Sequence, residues 1–318
     1  MADSGLLPGV HSVLVTPFLP DESFDEKSLT SLMDAFRKTC ISGVLLLGVI
    51  GEADRLSDTE RERIFETAIS VRDKMQVTVG VTHQSTVITR GRARKAARAG
   101  ASAVMVAPPT GSSAGPSLLS HFQRIADGLD IPVVVQDHPP SSGVKLSVEF
   151  LASLAEVLPP GSAIKLEDPP APSKIAALRA ATSDIAIFGG LGGVSLFEEM
   201  QAGADGTMTG FCIPDYLVQI VMSCREERFE TARSLHEYAL PLILFETQPG
   251  VGASLRKEIL RRRGLIAHAT VRQPAIVPDA TMLAPLDLLL KRTLSNFSLP
   301  YTGYAGQTHE AAQRSFDA

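Results

Sequence analysis

One pattern limits this chain more than any other: an alternation that repeats eight times within residues 8–225. A short apolar or β-branched run is followed by a longer stretch whose apolar residues recur at helical spacing. Val10–Val15 reads as a strand, and Ser28–Thr39 carries Leu29, Leu32, Met33 and Phe36 on one helical face. The strands Gly43–Gly48, Val77–Val81, Ala103–Ala107 and Pro132–Gln136 precede the helices Ser57–Arg72, Thr86–Ala99, Ser117–Gly128 and Ser147–Leu158. Ala163–Lys165, Ile185–Phe188 and Gly206–Thr209 precede Ser173–Ala181, Val194–Ala202 and Asp215–Cys224. Ser57 followed by Glu60 predicts a capping box, and Gly100 sits where a helix C-cap is expected. Eight such units with short loops predict an α/β fold, a closed (β/α)8 TIM barrel rather than an open doubly wound sheet. The first helix is not opened by Gly-x-Gly-x-x-Gly, which argues against dinucleotide binding.

After residue 225 the strands stop. Glu226–Phe245, Ser254–Arg263 and Thr281–Thr293 read as helices, which makes 226–295 a C-terminal helical extension. Its basic clusters, Arg256-Lys257 and Arg261-Arg262-Arg263, read as a solvated helix face. The tail 296–318 has no apolar period and is expected to be partly disordered.

Composition removes several classes of function. A net charge of −5 gives no electrostatic case for nucleic acid or an anionic membrane. Aromatics are 5% of residues and Trp is absent, so stacking platforms for single strands are not expected. Cys40, Cys212 and Cys224 have neither metal nor disulfide spacing, which points to a reducing, cytoplasmic setting. The first residues lack the basic and apolar regions of a signal peptide, and no apolar run approaches the ~20 residues needed to span a bilayer.

The residue with the most chemical content is Lys165, in Ser-Ala-Ile-Lys-Leu-Glu-Asp at 162–168. A lysine at the end of a buried strand either snorkels to water or serves as a nucleophile, because burial favours the neutral amine. Such an amine forms Schiff bases with carbonyl substrates. Glu167 lies two residues on, so it faces the same side if the strand continues. His138, Asp137 and His83 follow strands at the same end of the barrel and are further candidates for proton transfer. His138 precedes Pro139, an extended position where a packing role is the alternative, and Asp168 before Pro169-Pro170 reads as a turn-shaping residue. The cluster Gly189-Gly190 with Gly192-Gly193 is either a ligand-approach loop or a tight turn.

Several segments, in barrel order, resemble the dihydrodipicolinate synthase and N-acetylneuraminate lyase family of class I, pyruvate-handling aldolases. They are Val15-Thr16-Pro17-Phe18, Gly48-Val49-Ile50-Gly51-Glu52, Ala107-Pro108-Pro109, Gly143-Val144-Lys145-Leu146-Ser147, Ile164-Lys165 and Gly203-Ala204-Asp205-Gly206. The resemblance spans 8–295. It implies that Lys165 forms an imine with a small 2-oxo acid, without metal or organic cofactor. It also implies a homo-oligomer, dimer or tetramer.

The departures from the family pattern are concentrated at the chemistry. Two threonines of the loop after strand two are replaced by Val49 and Ile50, leaving backbone N–H groups of Ile50 and Gly51 for a carboxylate. The acid/base tyrosine falls on Gln136, whose amide does not exchange protons near neutral pH. A second tyrosine falls at Thr110-Gly111, and a carboxylate-binding arginine falls on Ser141. These changes argue against dihydrodipicolinate synthesis itself and nominate Glu167 as the replacement acid/base. Glu52 is expected to organise the loop after strand two, with Asp54 and Arg55 as a surface ion pair or a supporting layer. The candidate site is therefore Lys165, Glu167, Gln136 and His138, with Val49, Ile50, Gly51, Gly189 and Gly190 binding substrate.

The leading expectation is a Schiff-base lyase, aldolase or dehydratase. The alternative is a catalytically weak barrel, repurposed to bind a small carboxylate, which the lost hydroxyl groups favour. A metal-dependent aldolase is disfavoured because no His/Asp/Glu ligand set clusters at the strand ends.

Overall fold

The computed structural model describes residues 5–295. Eight parallel strands close into a barrel in sequence order. They are β1 Gly9–Val13, β2 Gly43–Leu46, β3 Gln76–Gly80, β4 Ala103–Val106, β5 Val133–Asp137, β6 Ala163–Leu166, β7 Ala186–Gly189 and β8 Gly206–Thr209. Pairing of β1 with β8, Gly9 opposite Gly206, closes the ring. The helices that follow are α1 Glu26–Arg37, α2 Asp58–Val71, α3 Thr86–Arg98 and α4 Pro116–Ala126. Next come α5 Pro139–Ser142, α6 Val148–Leu154, α7 Ala171–Ala181, α8 Leu196–Gln201 and α9 Pro214–Arg225. The extension adds α10 Phe229–Glu246, α11 Gly252–Arg262, α12 Ala280–Leu283 and α13 Leu286–Ser295. No described helix is long and apolar enough to cross a membrane. The expectation for 296–318 lies outside the described residues.

Local chemistry explains the element ends. Ser57 and Glu60 form the full capping box foreseen at the start of α2, worth about 1 kcal/mol. Helix α1 begins earlier than Ser28 because Asp25, not Ser28, is its N-cap, and accepts the Ser28 N–H. Pro116 and Pro214 occupy the first helical positions of α4 and α9, where a missing N–H costs nothing. The single helix expected over Thr281–Thr293 is two, α12 and α13, separated at Pro285, which has no N–H to continue the hydrogen-bond ladder. The short α5 was not foreseen; it closes on Gly143, whose φ of 72° suits a glycine.

Strand alternation divides the apolar residues into two cores. Inward residues Val13, Leu45, Met105, Val134, Ala163, Phe188 and Met208 form one cluster inside the barrel, which Leu6 joins. Outward residues such as Ile164, Leu166 and Ile187 join the larger layer between strands and helices. This division decides which side chains at the strand ends reach the barrel mouth. Lys165 and Gln136, two residues beyond Ala163 and Val134, point inward, whereas Asp137 and Leu166 point outward.

The extension is locked to the mouth by buried charge. Lys257 Nζ lies 2.5 Å from Glu52 Oε1 and also donates to the Thr270 carbonyl at 2.8 Å. Arg256 Nε donates to Glu246 Oε1 at 2.9 Å and to the Gly210 carbonyl at 3.1 Å. The reading of Arg256-Lys257 as a solvated face is therefore wrong: their side chains are 6% and 0% exposed. The basic run reads as solvated in sequence because its acidic partners lie on other elements, Glu246 at the end of α10 and Glu52 in the loop after β2.

Candidate active site

Lys165, the penultimate residue of β6, is in register with Gln136 on β5 and Phe188 on β7. Glu167 follows, its N–H bonded to the Asp137 carbonyl at 2.8 Å, so the extended pairing continues past the strand. That continuation turns Glu167 to the side of Lys165. Lys165 Nζ and Glu167 Oε2 are 3.1 Å apart, with side chains 6% and 8% exposed. Gln136 Nε2 donates to the same Oε2 at 2.8 Å, and the Leu191 N–H donates to Oε1 at 3.1 Å. Burial pushes the Glu167 carboxyl up, but Lys165, His138 when charged, and the Gln136 and Leu191 hydrogen bonds outweigh it. The net result is a carboxyl held below its ordinary range and anionic at neutral pH.

Glycine makes room for that arrangement. A Cβ at Gly190 would overlap the Glu167 side chain, and a Cβ at Gly189 would overlap the Glu199 carboxyl. Leu191–Gly193 forms one turn of 3-10 helix, with Gly192 at φ 73°. Gly189 and Gly190 are thus spaces filled by carboxyl groups.

His138 follows β5, its Nδ1 2.7 Å from Ser141 Oγ. Burial lowers its pKa below 6.5, a shift that Glu167 opposes and Lys165 assists, so the ring is a neutral imidazole at neutral pH. Two other candidates lie elsewhere. Asp137 faces outward, fully buried, and meets Lys174 of α7 at 2.6 Å; Lys174 also holds Asp168 at 2.9 Å. Asp168 and Asp137 therefore clamp a helix. His83 turns toward the start of α3, where its Nδ1 accepts the Ser85 N–H at 2.9 Å.

The loop after β2 is a pair of 3-10 turns. Val49 is exposed, Ile50 packs against the inner cluster, and the Gly51 N–H already bonds the Gly48 carbonyl at 3.1 Å. Glu52, 1% exposed, adopts φ 54°. It is paired with Lys257, with Arg55 at 3.1 Å and with the Arg272 N–H at 2.9 Å. Arg55 thus pairs with Glu52 rather than Asp54, the supporting place that is the other reading of this residue.

Three participants were not read from sequence: the Leu191 N–H, Lys257 and Glu199. A backbone donor has no sequence signature. Glu199 had one, since it shares the buried face of α8 with Leu196 and Phe197. Among the described residues no three His, Cys, Asp or Glu side chains converge in a set that could hold a metal ion. A cavity of about 270 Å³ touches Leu6, Gly161 and Asp205 at the opposite end of the barrel. There Arg179 is already paired with Asp205 at 2.6 Å.

The family model for the dihydrodipicolinate synthetase family matches residues 6–292. An L-2-keto-3-deoxyarabonate dehydratase from Azospirillum brasilense is 31% identical over 274 residues, covering 84% of this chain and 88% of that protein. A 4-hydroxy-tetrahydrodipicolinate synthase from Xanthomonas campestris is 30% identical over 306 residues, covering 91% and 98%. A crystal structure of dihydrodipicolinate synthase from Rhodopseudomonas palustris has a TM-score of 0.86 at 33% identity, covering 92% of this chain and 99% of that one. With the match running over nearly its whole length and the same barrel beneath it, this chain belongs to the dihydrodipicolinate synthetase family.

Proposed function

We propose that this protein is a Schiff-base lyase that acts on a small 2-oxo acid through Lys165, with Glu167 as its proton-transfer group. The observation that carries the reading is the buried contact of Lys165 Nζ with Glu167 Oε2, 3.1 Å at the strand ends of a family barrel. Glu167 takes a proton from the ammonium, and the neutral amine adds to the C2 ketone. Glu167 returns that proton to the carbinolamine hydroxyl, which leaves as water, and the resulting iminium acidifies the C3 protons. Glu167, anionic and fixed by Gln136 and Leu191, removes one of them to give an enamine.

From that enamine the substrate sheds a C4 hydroxide, which leaves as water with the proton that Glu167 took from C3. Water then hydrolyses the iminium and frees the lysine. His138, a neutral imidazole within electrostatic reach of both Lys165 and Glu167, is a second group that can accept a proton and pass it on. Dehydration is favoured over addition of an aldehyde by the replacement of a tyrosine relay with Gln136 and an adjacent carboxylate. The dehydratase among its relatives supports the same choice. Val49, Ile50, Gly51 and Gly190 border the proposed substrate space, whereas Gly189 faces outward onto Glu199.

A homo-oligomer, dimer or tetramer, belongs to this proposal, supported by Val87 and Ile88 exposed at the start of α3. A cytoplasmic location is supported by three free cysteines.

The test is to incubate the protein with pyruvate and borohydride and to map any adduct by mass spectrometry. A reduced adduct on Lys165, absent in Lys165→Ala, is the expected result. No adduct with pyruvate or with a panel of larger 2-oxo acids leaves the repurposed carboxylate-binding barrel as the better account.

A further inference from the structure

Glu199 of α8 is fully buried, and neither carboxyl oxygen has a hydrogen-bond partner. Among the described residues it forms no salt bridge. The charged groups that face it are Glu167, beyond β6, and Glu198 on its own helix, both acidic. An ionised carboxylate in such a place costs several kcal/mol, whereas a neutral acid costs far less.

The position is built, because the carboxyl lies where a Cβ at Gly189 would otherwise be. Phe188 points into the barrel and Gly189 outward, so Glu199 presses on the outer side of the β7 end. Gly190, the next residue, faces inward, where the Glu167 side chain covers it. The two carboxyl groups therefore flank the Gly189–Gly190 backbone from opposite sides.

We propose that Glu199 is a positioning residue of the Lys165–Glu167 site: its uncharged carboxyl backs the end of β7, and its ionisation opposes the negative charge on Glu167. The inference rests on the Schiff-base reading for its consequence in catalysis, but not for the coupling between the two carboxyls. Burial, with Glu167 and Glu198 adding to it, pushes the Glu199 carboxyl up to about 8. Near neutral pH it is an acid, and Glu167 remains an anion beside Lys165. At alkaline pH Glu199 loses its proton, and the new charge raises the proton affinity of Glu167. The linkage is reciprocal, so the charge on Glu167 also holds the proton on Glu199.

The experiment has two arms built on the isosteric Glu199→Gln. In the first, infrared spectra of the ligand-free protein are followed from neutral to alkaline pH. The expected result is a carboxylic-acid C=O band that Glu199→Gln removes, that fades as pH rises, and that fades at lower pH in Glu167→Gln. Absence of the band, or an unmoved midpoint in Glu167→Gln, overturns the proposal. In the second arm, borohydride trapping with pyruvate is measured against pH. An alkaline inflection in the wild type that Glu199→Gln lacks is expected, and superimposable profiles overturn the catalytic consequence. If the wild type traps neither pyruvate nor any of the larger 2-oxo acids, the Schiff-base reading fails and the infrared arm alone decides the coupling.

Discussion

Lys165 and Glu167 are two residues apart and meet at 3.1 Å, because the chain stays extended past the last residue of β6. The contact is held from three sides: Gln136 on β5, the Leu191 N–H after β7, and the floor left open by Gly190. Each support arises on a different element, so the pair is a property of the closed barrel and not of the β6 segment.

Glu167→Gln separates imine formation from the step that follows. The amide keeps the shape but cannot accept the C3 proton, so deuterium exchange into the pyruvate methyl should fall by roughly 10²–10⁴-fold. Borohydride trapping at Lys165 should become slower, because Glu167 also takes the ammonium proton, but the adduct should still form. Proton NMR of pyruvate in heavy water reads the first quantity and mass spectrometry the second. Exchange at the wild-type rate would remove Glu167 from the mechanism.

Gly190→Ala reaches the same carboxylate without touching it. The added Cβ overlaps the Glu167 side chain, which must leave its position over β7 and with it the Leu191 and Gln136 hydrogen bonds. Exchange should drop while the fold survives. Circular dichroism and the same NMR assay, run side by side, distinguish a displaced base from an unfolded protein.

The junction between barrel and extension depends on Lys257. Replacing it with Met leaves Glu52, 1% exposed, as a buried charge whose remaining contacts are Arg55 and the Arg272 N–H. The cost should be about 3–5 kcal/mol. Urea unfolding should show a lower midpoint, and the double variant Lys257→Met with Glu52→Gln should recover part of the loss, because the charge left without its partner is then Arg55, whose side chain is 26% exposed, and no longer the buried Glu52.

Glu199 also makes a pH prediction for stability. Its carboxyl is raised from 4.5 to about 8 in the folded protein, so the unfolded chain ionises first. Between those values the folded state binds the extra proton, and this group's contribution falls as pH rises, then levels off above the upper value. Glu199→Gln lacks that slope. The melting temperature of the variant minus that of the wild type should therefore increase from mildly acidic to alkaline pH, by an amount worth a few kcal/mol. A difference independent of pH would mean that Glu199 ionises normally in the folded state.

The sequence by itself determined the architecture: strand and helix periods are local, repeat eight times, and leave a closed parallel barrel as the economical way to bury them. The same alternation put Glu167 on the side of Lys165, a two-residue relation legible without a structure. What only the tertiary structure decided were the meetings between distant segments. Asp137 was a plausible base until the register turned it outward to Lys174. Arg256 and Lys257 looked solvated until Glu246 and Glu52 closed on them from elsewhere in the chain. Gly189 and Gly190 read as a loop, and their meaning came from the two carboxyl groups that fill the space a side chain would take. Burial and charge pairing are set by what packs around a residue in three dimensions, and a one-dimensional pattern carries only its own period.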